Sequence, residues 1–143
     1  MDIFKFFTEA GAIESRLWYE SQVVPFFAPP AWIFGLAWGI IYPLIGLALA
    51  WALVTWVKGK LPHRYIAVFA VNLVANFAFS PLQFGLKSNV LAAIDIAVVL
   101  VTLIYLVYVG WGRARGISYL LVPYLAWVAY ATALQLSITY LNW

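Results

Sequence analysis

Four apolar runs, at about residues 31–57, 65–86, 90–111 and 117–141, decide the fold class. Each matches or exceeds the roughly twenty residues a helix needs to cross a bilayer's hydrocarbon. With 66% of residues apolar and 9% charged, too little polar surface exists to solvate a water-soluble domain. The chain is therefore read as an all-α membrane protein: one domain over residues 1–143, a helical bundle with four transmembrane helices, and the lipid bilayer as its first partner. There are no cysteines, which excludes disulfides and thiolate chemistry.

Residues 1–30 precede the first span as an N-terminal interfacial segment and a loop. Asp2, Lys5, Glu9, Glu14, Arg16 and Glu20 are too many charges for a span. The interleaved Ile3, Phe4, Phe6, Phe7, Ile13 and Leu17 leave two readings open, a helix lying at the interface and a frayed terminus. No apolar stretch of signal-peptide type follows the first lysine, so no cleavable leader is expected. Pro25, Pro29 and Pro30 forbid a continuous helix over 24–30. Pro30 suits the first turn of the helix that follows, which opens with Trp32, Phe34, Trp38 and Tyr42. Phe34, Trp38 and Tyr42 recur every fourth residue and share one face.

Polar residues inside the spans carry the functional signal, because hydrocarbon penalises them unless they face protein, water or a ligand. In the second span Asn72, Asn76, Ser80 and Gln83 fall within an arc of roughly 80°. Pro81 frees a backbone carbonyl beside that stripe. Asp95 lies one to two turns into the third span, and two readings stand equal: a functional carboxylate and a structural hydrogen bond. In the fourth span Tyr124, Trp127, Ala131 and Gln135 also fall within roughly 80°. Two aromatic walls, a small residue and an amide are the composition of a pocket side, mostly apolar with few polar anchors. In the first span Gly35 and Gly39 form a small-residue pair, extended by Gly46 and Ala50, that lets another helix approach closely. His63 stands alone in a basic loop, without the convergent ligands a metal site requires.

Charge sets an expected orientation. The first and third loops hold Lys58, Lys60, Arg64, Arg113 and Arg115, while the N-terminal segment is net negative. The positive-inside rule puts those loops in the cytoplasm and both termini on the other side. Trp51, Trp56, Trp111 and Trp143 lie near span ends, where aromatic belts form.

These pieces, taken together, resemble the TspO/MBR family of tryptophan-rich sensory proteins and translocator proteins. The resemblance rests on Trp18-Tyr19, Pro25, Pro29-Pro30, Trp32, Phe34, Trp38 and Tyr42. It continues through Asn76, Ser80-Pro81, Phe84-Gly85 and Asp95, then Pro123-Tyr124, Trp127, Tyr130 and Leu134, in the family's order. It implies a bundle whose family norm is five helices, often dimeric, that binds tetrapyrroles, sterols in eukaryotes, and benzodiazepine-site compounds between helices. It implies that residues 18–30 lid the pocket. The candidate ligand-binding set is then Trp18, Tyr19, Trp32, Phe34, Trp38, Tyr42, Asn72, Asn76, Phe79, Asp95, Tyr124, Trp127, Ala131 and Gln135. The chain departs from the family pattern in three ways: only seventeen residues precede Trp18, Phe79 stands at a usual tryptophan, and Gln135 at a usual asparagine. The first departure reads as a missing first transmembrane helix.

Two functions follow as expectations. One is a membrane protein that binds a flat hydrophobic ligand (a porphyrin or other tetrapyrrole, a related pigment or an isoprenoid) for transport, sensing or regulation. The other is a non-catalytic structural subunit of a larger membrane assembly, with a partner helix, or a second copy, docking through the Gly35/Gly39 stripe. No nucleophile–base pair, metal cluster or phosphate loop points to an enzyme. Light-dependent porphyrin breakdown enters by resemblance alone. Nucleic-acid binding has no basic face to support it.

Overall fold

Apolar residues three and four apart build each helix of this bundle. Ile41, Ile45, Ala48 and Ala52 repeat that spacing in one helix, Ile96, Val99, Leu103 and Leu106 in another, and Ile117, Leu121, Tyr124 and Val128 in a third; all are buried. A stripe of this spacing meets a neighbouring helix along its length. The structure, a computed structural model, describes residues 21–28 and 31–142, with the side chains of Ala31, Phe34 and Phe84 excepted. The expected N-terminal segment, Trp18, Tyr19, Pro29, Pro30, Trp143 and the side chain of Phe34 lie outside the described residues, as does the expectation of a missing first helix.

Four helices are long and apolar enough to cross a membrane, and no strand is present among the described residues. Helix α1 is Ala31–Val57, α2 is His63–Ser80, α3 is Asn89–Arg113 and α4 is Arg115–Leu141. The chain is thus an integral, multi-pass membrane protein. Its outward surface agrees: Leu36, Leu47, Val54, Val74, Val101 and Ile104 are exposed on the helix flanks. In lipid those side chains need no cover.

The connections follow from local chemistry. After α1, Gly59 adopts φ 77, and the Gly59 and Lys60 N–H groups donate to the carbonyls of Trp56 and Thr55. That paired closure with a left-handed glycine is the Schellman ending. The indole N–H of Trp56 donates to His63 Nδ1 at 2.9 Å, tying this turn to α2. Pro81 has no N–H with which to continue α2. The chain widens there into a π turn, Pro81–Gly85, and the Leu86 N–H reaches back to Pro81 O at 2.9 Å. Ser88 caps α3 by accepting from the Leu91 N–H. A single residue, Ala114, joins α3 to α4.

The helices pack in the spatial order α2, α3, α4, α1, and a lighter contact of α1 with α2 closes the ring. The tightest pair is α3 with α4. Gly110 explains how they come so close. A Cβ there would lie 2.6 Å from Ser118 Oγ and 3.2 Å from the Tyr65 hydroxyl. The hydroxyl of Ser118 donates across the same contact to Val107 O at 2.8 Å. At Gly35, Gly39 and Gly46 the opposite holds: nothing stands within 4 Å of where a Cβ would be.

Candidate functional site

Hydroxyls and amides buried among apolar helices must find one another. Here they do so in one directed chain. The Tyr42 hydroxyl on α1 donates to Asn76 Oδ1 on α2 at 3.0 Å. Asn76 Nδ2 donates to the Tyr124 hydroxyl on α4 at 2.8 Å, and that hydroxyl donates to Asn72 Oδ1 at 3.0 Å. Asn72 Nδ2 donates to Val99 O and to Thr102 Oγ1 on α3, at 3.1 and 3.0 Å. The Thr102 hydroxyl completes the relay on Val98 O. All four helices are thereby linked through side chains whose polar atoms are engaged by protein.

An aromatic cluster stands against this chain. Trp38 stacks on Tyr42 with centroids 5.0 Å apart and meets Tyr124 edge-on at 6.3 Å. It meets Trp127 edge-on at 6.4 Å, and Trp127 lies against Tyr130 at 5.7 Å. Offset and edge-on pairs are the favoured geometries of aromatic rings. The outer side of the cluster opens into a groove of about 560 Å³ between α1 and α4. Ile33, Ala37, Ile40 and Ile41 form one wall; Pro123, Ala126, Trp127 and Tyr130 form the other. That volume lies within the range of small-molecule sites.

The loop before α1 is fastened along α4 above this groove. Asn142 donates through Nδ2 to Val23 O at 2.7 Å and accepts from the Val23 N–H at 2.9 Å. The Tyr130 hydroxyl donates to Phe27 O. The ring of Phe27 lies edge-on to Tyr130. The described part of the loop is therefore pinned at both of its ends to the helix that carries Trp127.

A second polar group sits at the same end of the bundle. Gln83 Nε2 donates to Asn89 Oδ1, and Asn89 Nδ2 donates to Gln22 Oε1. Gln135 Nε2 and the Thr139 hydroxyl both donate to Asn89 O. The amide of Gln135 is thus engaged by the start of α3. Asp95 is half-buried, with its Oδ2 buried and without a hydrogen-bond partner.

Of the residues singled out in the sequence, Trp38, Tyr42, Asn72, Asn76, Tyr124 and Trp127 come together at one level of the bundle. Among these, Trp127 lines the groove directly. Phe79 and Ala131 pack partly buried against the core. Trp32 is 68% exposed and lies outside the groove lining. The groove's other residues are not in the candidate ligand-binding set, although Pro123 and Tyr130 carry part of the family resemblance. Their signal was present, because 33, 37, 40 and 41, and 123, 126, 127 and 130, each recur at helical spacing. Thr102, which accepts from Asn72, is likewise outside that set.

Comparison with known proteins matches this sequence to a family. The family model described as TspO/MBR covers residues 3–141. The chain is 38% identical over 133 residues to the tryptophan-rich protein TspO of Archaeoglobus fulgidus, covering 89% of this chain and 81% of that one. It is 33% identical to the tryptophan-rich sensory protein of Cereibacter sphaeroides, covering 95% and 84%. It is 28% identical to the human translocator protein, covering 85% and 73%.

Proposed function

The chain belongs to the TspO/MBR family, and on that premise we propose that it binds a flat hydrophobic ligand in the groove between α1 and α4. The ligand class is a tetrapyrrole or a related pigment or isoprenoid, taken up for transport, sensing or regulation. The observation that carries this reading is the apolar groove of about 560 Å³ walled by Trp127 and Tyr130 and backed by Trp38. Indole and phenol faces give a planar ring system a large contact area. Asn72 and Asn76 contribute by holding Tyr42 and Tyr124, which back Trp38, because their own polar groups are already engaged. Asp95, on α3, lies outside the groove lining, so in this reading the ligand is held by apolar and aromatic contact. Titrating the purified protein with protoporphyrin IX tests the proposal. Saturable quenching of tryptophan fluorescence at micromolar ligand is expected, weakened about tenfold in Trp127→Ala, the loss of one stacked ring. Unquenched fluorescence, or a Trp127→Ala curve that overlays the parent's, would sink it.

In the same reading the basic end of the bundle is cytoplasmic and both termini lie across the membrane, since Lys58, Lys60, Arg64, Arg113 and Arg115 share that end. The absence of cysteine makes this easy to check. A Lys60→Cys variant should react with a membrane-impermeant maleimide in inverted vesicles and stay unlabelled in intact cells. Labelling in intact cells would reverse the assignment.

A further inference from the structure

The basic end of the bundle carries a second cleft, separate in its residues from the aromatic groove. Its volume is about 1040 Å³. Pro62 and Arg64 at the start of α2 form one side, and Tyr105, Tyr108, Trp111 and Arg113 on the last turns of α3 form the other. Arg64 and Arg113 are exposed, and neither makes a hydrogen bond or an ion pair among the described residues. Nor does a described carboxylate stand near them. Asp95 is the one acidic residue from 21 to 142, eighteen positions before Arg113 on the same helix. At the helical rise that is about 27 Å away, beyond any contact. Two guanidinium groups thus line one cleft with no counterion supplied by the described chain.

Below the arginines the cleft continues onto surface that faces lipid. Ile104 lines it, and Val101, Ile104 and Tyr108 are 67, 50 and 80% exposed on one stripe of α3. Spacings of three and four keep that stripe straight along the helix. The site therefore reads cation at the interface, aromatic rings at headgroup level, and aliphatic side chains descending into hydrocarbon. That is the sequence of chemistries in an anionic phospholipid. Guanidinium is the cation suited to a phosphate, because it donates two parallel hydrogen bonds. Basic pockets between transmembrane helices are a known means of holding such headgroups.

We infer that the Arg64–Arg113 cleft binds an anionic phospholipid, its phosphate between the two arginines and an acyl chain along Val101, Ile104 and Tyr108. This site is independent of the ligand groove. The test uses the full chain in mixed micelles, with native mass spectrometry counting the phospholipids retained. Phosphatidylglycerol should be held about tenfold more tightly than phosphatidylcholine, as two interfacial cations allow. The double variant Arg64→Gln/Arg113→Gln should lose that preference, and Lys58→Gln/Lys60→Gln, on the neighbouring loop, should keep it. Both arginines are exposed and unpartnered, so neither substitution threatens folding. Equal retention of the two lipids by the parent protein would overturn the inference without any variant. So would a double variant that still prefers phosphatidylglycerol. Displacement of the lipid by millimolar inorganic phosphate would also overturn it, by marking a site for a free anion.

Discussion

Asn72→Leu is expected to cost the folded bundle about 2–3 kcal/mol, read as a shifted midpoint when the protein is unfolded by sodium dodecyl sulfate. Leucine fills nearly the same space, so the loss is one of hydrogen bonds. Asn72 accepts from Tyr124 and donates to Val99 O and Thr102 Oγ1. Without it the Tyr124 hydroxyl keeps its donor, Asn76, but loses its acceptor in a buried place. Ser137→Ala is the control. Its hydroxyl bonds within its own helix, to Ala133 O, and its loss should shift the midpoint by less than about 0.5 kcal/mol. The coupling is the sharper readout. Tyr124→Phe already deprives Asn72 Oδ1 of its donor, so adding Asn72→Leu should cost clearly less than it does alone. If the two losses simply add, the relay is not an energetic unit.

That relay also marks where the sequence stopped being legible. Helical period places Asn72 and Asn76 on one face of the second span, and hydrocarbon requires that face to meet polar company. The fold class follows from the same physics: four apolar runs demand four membrane helices, and four are present among the described residues. Period cannot say which neighbour supplies the partner. Tyr124 reads as a flat wall in the sequence and Tyr42 as one of three aromatics on a face of the first span, whereas each also carries a hydroxyl that takes up the asparagines. Thr102 on α3 gave little signal, since a lone threonine in a span can always bond its own preceding turn, as it also does here. The groove was hidden for a different reason. Isoleucine, alanine and proline at helical spacing look the same whether they bury against a helix or leave a gap. Only the position of α1 along α4 distinguishes the two.

Position along α4 leads to the second large effect. Ala126→Trp should lower affinity for protoporphyrin IX at least about tenfold while leaving the unfolding midpoint within about 0.5 kcal/mol of the parent's. Ala126 is exposed and lines the groove one helical turn from both Pro123 and Tyr130. An indole built there has open space in front of it, so it enters the groove and does not wedge the helices apart. It would take up ring surface that Trp127 otherwise offers to a ligand. Asn76→Leu should behave in the opposite way. It removes the bonds to Tyr42 and Tyr124, so it should destabilise the bundle by about 1–3 kcal/mol. Yet it touches no groove atom, so the folded fraction should bind with affinity changed by only a few fold. Crossed results would separate the ideas cleanly. If Ala126→Trp binds as well as the parent, and Asn76→Leu abolishes binding while still folded, the ligand enters the interior through the amides and the groove is bystander surface.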